Sequence, residues 1–209
     1  MSTPAASPSV AGLVLAAGAS TRMRRAKAAL EVDGAPMLAR VLRALKAGGT
    51  SACWVVVGPP HDTVATPIAT NEGATVVRNP DPSRGMLSSL RAGLAELEDR
   101  TDVAAVAVAL VDHPHLRGAT VRSVIDAFVR SGATVVRPWV ATPTGRRHGH
   151  PYVLARAAWP TVIALGDVDG GMRTVLASLA DSTEHVEVTD DAILEDVDTP
   201  EDLAPSRAQ

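Results

Sequence analysis

Short apolar runs rich in β-branched residues alternate along this chain with stretches of helical periodicity, a rhythm that predicts βα units around a parallel sheet. The predicted strands cover 11–16, 53–57, 74–78, 103–111 and 133–137. Between them Leu38, Val41, Leu42 and Leu45 recur at i, i+3, i+4 and i+7, and the run stops at Gly48 and Gly49, a suitable C-terminal cap. Pro36 suits the start of that helix, where a missing N–H costs nothing. Leu87, Leu90, Leu94 and Leu97 repeat the pattern, as do Val121, Val124, Ile125, Phe128 and Val129.

After about residue 138 the rhythm changes. Residues 138–151 are rich in Pro, Gly, Thr and Arg and read as a long functional loop. Met172, Val175, Leu176 and Leu179 then mark another helix, and 184–188 and 193–197 read as short strands, with an antiparallel arrangement open. The expectation is a three-layer α/β sandwich with a mixed extension on its C-terminal side. It forms one domain over 11–204, after a flexible leader at 1–10. In such sheets ligands collect beyond the carboxyl ends of the strands.

Composition narrows the picture. Hydrophobic residues are 46% of the 209, enough for a core, and with one Phe, one Tyr and three Trp that core must be aliphatic. A net charge of -3 gives no case for nucleic acid. The longest apolar run, 103–111, is too short to cross a bilayer, and the first ten residues lack the basic start and apolar stretch of a signal peptide. The default expectation is a soluble cytoplasmic protein. Cys53, in an apolar run, reads as a small buried hydrophobe.

Three stretches carry candidate chemistry. The first strand runs into Leu15-Ala16-Ala17-Gly18-Ala19-Ser20, whose small residues let backbone approach a ligand and whose consecutive N–H groups can cradle an anion. Arg22 and Lys27 follow, inside a basic cluster with Arg24 and Arg25. An ordinary βα turn with a solvated basic patch explains the same residues; neither GxxxxGK[ST] nor GxGxxG is present. Lys27 and Lys46 are the only lysines among 20 basic residues, which makes a lysine inside an arginine cluster informative for a phosphate. Asp112 closes the most apolar strand in Val111-Asp112-His113-Pro114, where a carboxylate could hold Mg²⁺ with phosphate oxygens, or simply begin a turn. The third stretch runs Asp196-Val197-Asp198-Thr199-Pro200-Glu201-Asp202; alternation puts Asp196 and Asp198 on one strand face, although a solvated acidic helix start reads equally well.

Taken together, these stretches resemble the nucleotidyltransferases that make molybdenum cofactor dinucleotides. Residues 15–23 with Lys27 match their first motif. Asn79-Pro80 with Gly85-Met86-Leu87-Ser88-Ser89-Leu90-Arg91-Ala92-Gly93-Leu94 is similar to a second motif of the cytidylyltransferase branch. Val111-Asp112-His113-Pro114, Gly149-His150-Pro151, Gly166-Asp167 with Gly171-Met172-Arg173, and 196–202 follow in the family's order, from about Gly12 to Leu203. The resemblance implies a Rossmann-like, mostly parallel sheet of the nucleotide-diphospho-sugar transferase type and a Mg²⁺-dependent transfer of CMP from CTP to the phosphate of molybdopterin, releasing pyrophosphate. By position it implies a nucleotide site of Leu15, Ala16, Ala17, Gly18, Ser20, Arg22, Lys27, Gly85 and Ser89. Arg22, Lys27 and Asp112 are the catalytic candidates, Asp112 and Asp198 the metal ligands, and His150, Asp167 and Arg173 the acceptor side.

Three positions depart from the family: Arg24 where Gly is common, Ala26 where Pro is, and His113 where Gln often follows the metal aspartate. Ala17 gives Leu-Ala-Ala-Gly, the cytidylyl form, against Leu-Ala-Gly-Gly in the guanylyl branch, so CTP is preferred over GTP. The alternatives are a cytidylyl- or guanylyltransferase for another phosphorylated acceptor, such as methylerythritol phosphate or a sugar phosphate, or a non-catalytic cofactor carrier or chaperone serving a molybdoenzyme client. The metal reading requires Asp112 and Asp198 to converge beside Gly18.

Overall fold

The computed structural model of the chain describes residues 8–18, 25–199 and 202. In chain order its first half contains β1 (Val10–Leu15), β2 (Glu31–Val32), β3 (Ala35–Pro36), α1 (Met37–Ala47), β4 (Cys53–Val57), α2 (Asp62–Asn71), β5 (Thr75–Arg78) and α3 (Met86–Glu96). Then come β6 (Ala105–Leu110), α4 (Gly118–Ser131), β7 (Val135–Thr142), β8 (Gly145–His148), β9 (Tyr152–Ala155), α5 (Trp159–Ala164), α6 (Met172–Ser178) and β10 (Thr183–Glu187). One eight-stranded sheet has the order β10-β7-β9-β6-β1-β4-β5, with β8 paired to β7.

The central strands β1 and β4 are buried at every residue, as parallel strands covered on both faces must be. β1 runs parallel to β4 and β6, with Leu15 opposite both Val56 and Leu110, so these strands finish level. Leu38, Leu42 and Leu45 of α1 and Val121 and Val124 of α4 cover one face. Leu87, Leu90 and Leu94 of α3, Trp159 of α5 and Val175 of α6 cover the other. Each fully buried leucine contributes about 1.5–3 kcal/mol of transfer free energy. The result is a three-layer α/β sandwich on a mostly parallel sheet. α1 ends where the pattern says it should, with Gly49 at φ +98°, a conformation that L side chains rarely adopt.

The C-terminal half departs from expectation in four places. The 138–151 segment is not a loop: β7 runs on to Thr142 and turns at Gly145, φ +115°, into β8, with Trp139 opposite His148. Pro138 is tolerated inside β7, and its carbonyl accepts from Gly149 N at 3.3 Å. β10 lies parallel to β7, not antiparallel. The 193–197 segment is no strand. It follows a short helical turn at Asp191–Ile193, capped by the Asp190 side chain, and it is tied to the sheet end by Val197 N donating to Asp112 O at 2.8 Å. β9, which the pattern missed, pairs antiparallel with both β6 and β7 and supplies the mixed part of the sheet. Of the expected leader at 1–10, residues 1–7 lie outside the described set, and Val10 is the first residue of β1.

Gly149 stands so close to Ile193 that a methyl group would overlap the Ile193 carbonyl oxygen, and His150 N donates to that same oxygen at 3.2 Å. Gly149→Ala should therefore push the 190–198 segment away from β7 and cost about 1–3 kcal/mol, read as a lower urea midpoint. An unchanged midpoint would show that the segment is not pinned there.

Candidate active site

The level strand ends of β1 and β6, and the chain that leaves them, build the site. After Leu15, Ala16 N still donates to Val56 O at 2.8 Å, and Ala17 stays buried at 2% exposure. The neighbouring crossing is tight: a Cβ on Gly58 would sit 2.8 Å from Asn79 O and 3.2 Å from the Ala17 Cβ. Small residues are required here by packing as well as by any ligand. Gly18 ends the described part of this turn; Ser20, Arg22 and Arg24 lie outside the described residues.

The chain returns as a short 3₁₀ turn, Lys27–Ala29, which carries Lys27 over the strand ends. Lys27 Nζ donates to Asp112 Oδ2 at 3.0 Å and also bonds the Asp198 carboxylate. The three side chains are largely enclosed, at 12% exposure for Lys27, 22% for Asp112 and 27% for Asp198. Burial alone would lower the Lys27 pKa, but hydrogen bonds and charge from Asp198 and Asp112 outweigh it and hold the ammonium above the ordinary lysine value. Lys27 is a fixed cation at any physiological pH. Asp196, expected on the same face as Asp198, is exposed.

Leu15, Ala16, Ala17, Gly18, Gly85 and Ser89 line one cavity of about 340 Å³ together with Lys27, Asp112 and Asp198. Pro82, Met86 and His61 complete its far wall. His61 went unremarked in the sequence, where only its place after the end of β4, in Gly58-Pro59-Pro60-His61, could have marked it. Ser89 is held from behind. The buried Asn79 donates from Nδ2 to Ser88 Oγ at 2.9 Å and Ser89 Oγ at 3.0 Å, while its Oδ1 accepts from Asp81 N at 3.1 Å. With its oxygen accepting from Asn79, the Ser89 hydroxyl is set up to donate towards the cavity.

A second cavity, of about 370 Å³, shares Gly85 and Met86 with the first and is lined by Arg84, Asp167 and Arg173. Arg84 grips Asp167 through two bonds, Nε to Oδ2 and an Nη to Oδ1, both 3.0 Å. His150 lines neither cavity. Its ring lies 5.3 Å from that of His113 and 5.6 Å from that of Tyr152, and desolvation, then the charge of His113 and Arg137, pushes its pKa down to about 3. The three residues expected on the acceptor side thus divide between two places.

The donor set fits a divalent ion. Two carboxylates meet at one point, and Asp112 Oδ1 is buried with no hydrogen-bond partner among the described residues. Those residues hold no group of three or more metal-type ligands, so an ion here would need further oxygens, as Mg²⁺ beside a polyphosphate has.

Comparison with known proteins fits this geometry. Residues 12–186 match the family model of the MobA-like NTP transferase domain. The chain belongs to that family. The nicotine blue oxidoreductase of Paenarthrobacter nicotinovorans is 31% identical over 199 residues, spanning 94% of this chain and 95% of that protein. Among solved structures, Rv0371c of Mycobacterium tuberculosis superposes with a TM-score of 0.78 at 26% identity, covering 94% of this chain and 95% of that one. A manganese complex of the same mycobacterial protein gives a TM-score of 0.74 at 24% identity, over 93% and 95% of the two chains. Family and fold together place this MobA-like protein in the nucleotidyltransferase class. Among its described residues no helix is long and apolar enough to cross a membrane.

Two outcomes follow from the site. Lys27→Met removes the cation between two carboxylates and should cost about 1–3 kcal/mol without divalent ions, less than a fully buried pair because all three groups keep some water contact. Added Mg²⁺ or Mn²⁺ should then raise its melting temperature more than it raises that of the unaltered protein, and equal responses would refute an ion site at this pair. Asn79→Ala leaves Ser89 unheld: nucleotide binding should weaken about tenfold while Lys27→Met retains its ion response, measured by calorimetry and thermal shift.

Proposed function

We propose that this protein is a Mg²⁺-dependent nucleotidyltransferase that moves CMP from CTP to the phosphate of a molybdopterin-type acceptor. The observation that carries this reading is the meeting of Lys27, Asp112 and Asp198 at the edge of the cavity that the small-residue turn after β1 lines. An acceptor phosphate oxygen attacks the α-phosphorus, the bond to the bridging oxygen breaks, and pyrophosphate leaves. Such in-line transfer asks for positioning and charge neutralisation, not for a covalent intermediate.

The roles divide accordingly. Backbone from Leu15 to Gly18, with Ser20 beyond it, receives the polyphosphate. Lys27 and Arg22 balance the charge that develops on its oxygens. Gly85 and Ser89 face the nucleoside, and Asn79 fixes the direction of the Ser89 hydroxyl. Asp112 and Asp198 would hold Mg²⁺, which supplies Lewis-acid polarisation of the phosphate oxygens. With both carboxylates so engaged, Lys27 would turn its ammonium towards the phosphate oxygens. The preference for CTP rests on Ala17, which gives the Leu-Ala-Ala-Gly form where the guanylyl branch has Leu-Ala-Gly-Gly. Asp167 and Arg173 line a second cavity that shares Gly85 and Met86 with the nucleotide cavity, a fitting place for part of the acceptor.

A second reading comes from the 31% identical relative, named as an oxidoreductase: this chain would then act on nicotine blue or a similar dye. One experiment separates the readings. With CTP, Mg²⁺ and molybdopterin, the protein should release pyrophosphate, and Asp112→Asn should lower the rate by about 10²–10³. GTP preferred over CTP would overturn the base assignment. Nicotine blue bleaching with a nicotinamide reductant, without pyrophosphate release, would replace the reaction class; tight nucleotide and pterin binding with neither activity would point to a carrier.

A further inference from the structure

β9 begins only at Tyr152, opposite Val108, whereas β6 continues to Leu110 and β7 continues to Thr142 with β8 as its new partner. Polar side chains gather where β9, which lies between β6 and β7, begins. Tyr152 Oη and Arg137 Nε are both buried with no hydrogen-bond partner among the described residues, and so is His113 Nδ1. Tyr152 is 2% exposed and His113 5%. Three orphaned polar atoms in one neighbourhood are unusual, because each costs desolvation that nothing returns.

The charges around Arg137 have one sign, while His113 has the Asp112 carboxylate beside it, Oδ1 lying 3.9 Å from its Nε2. No carboxylate acts on Arg137 among the described residues, and burial pulls its pKa below the ordinary arginine value. Arg137 stands opposite His185 in the β7–β10 register, and the His185 ring is 4.7 Å from that of His148. Desolvation, then Arg137 and His185, push the His148 pKa down, with Arg146 adding to them; His113 and Arg137 do the same to His150. Arg146 also lies over the Trp139 ring at 4.3 Å. The carboxylates nearest in register, Glu184 opposite Val136 and Glu187 opposite Trp139, are both exposed. A guanidinium half out of water with only histidines, a phenol and another arginine for company lacks its counter-charge.

We propose that Arg137, with Tyr152, His148 and His185, forms an oxyanion subsite that takes a phosphate or carboxylate group of the acceptor. This rests on the transferase reading and narrows it: the acceptor carries a second anionic group besides the attacking phosphate, seated beyond Asp112 along the sheet edge. An arginine fork and a phenolic hydroxyl suit a planar oxyanion better than lysines would. The site is distinct from the cavity that Lys27 overhangs, so its occupancy can be read without CTP.

Histidine ring resonances of the full-length protein, titrated at neutral pH with inorganic phosphate and separately with acetate, test this. Phosphate or acetate should shift the His148 and His185 signals saturably, and the tighter of the two names the group. Arg137→Met should weaken that binding at least tenfold, and Tyr152→Phe severalfold; Tyr152→Phe keeps the ring packing and serves if Arg137→Met does not fold. Shifts that are absent, or unchanged in both variants, would overturn the subsite. CTP with Mg²⁺ is titrated separately by calorimetry. If CTP fails to bind while phosphate still saturates the Arg137 cluster, the transferase reading falls and the anion site stands. If CTP binds and neither anion moves the rings, the reverse holds.

Discussion

The charge balance among Lys27, Asp112 and Asp198 governs this molecule more than any other contact. The partners of Lys27 lie 85 and 171 residues away along the chain, so the bond can form only when the first strand, the sixth strand and the C-terminal segment are all in place. The level ends of β1 and β6 bring Lys27 and Asp112 together, and the Val197 N to Asp112 O bond fixes how far Asp198 reaches. Two partly enclosed carboxylates this close would repel one another strongly, and one ammonium makes the arrangement affordable before any ion or nucleotide arrives.

The rest of the architecture supports that meeting point. Burial of every residue of β1 and β4 and all but the last of β6 makes them rigid, and small residues at Ala17 and Gly58 let strand ends crowd together. Polar positioning is layered behind the wall, as with Asn79 behind Ser89. The mixed part of the sheet serves a different purpose. By starting late, β9 leaves a polar edge between β6 and β7 that a fully parallel sheet would have filled with apolar side chains.

Much of this was legible in the residues. β1, β4 and β6 are unbroken apolar runs, and α1, α3 and α4 show helical stripes that nothing else explains. Asp112 could be placed because it follows such a run directly. What stayed hidden was set by tertiary contact. α2 contains Pro67 and threonines, so its local preference argues against the helix that packing imposes. β7 and β8 hide behind proline and glycine that belong to a strand and a hairpin turn, not to a loop. The segment around Val197 shows alternation because Val197 is buried against the Val32 and Met37 cluster, not because it joins a sheet. His61 reaches the cavity from a turn with no pattern of its own.

The Arg84–Asp167 pair has a consequence for timing. It joins the segment before α3 to the loop before α6 in the wall of the second cavity, and both partners are exposed, at 46% and 58%. An ion pair so open to solvent is screened by mobile salt within a Debye length of about 8 Å under physiological conditions. The wall of the second cavity is therefore held by a contact whose strength the surrounding electrolyte sets, and how readily ligands enter it becomes a property of the medium as well as of the protein.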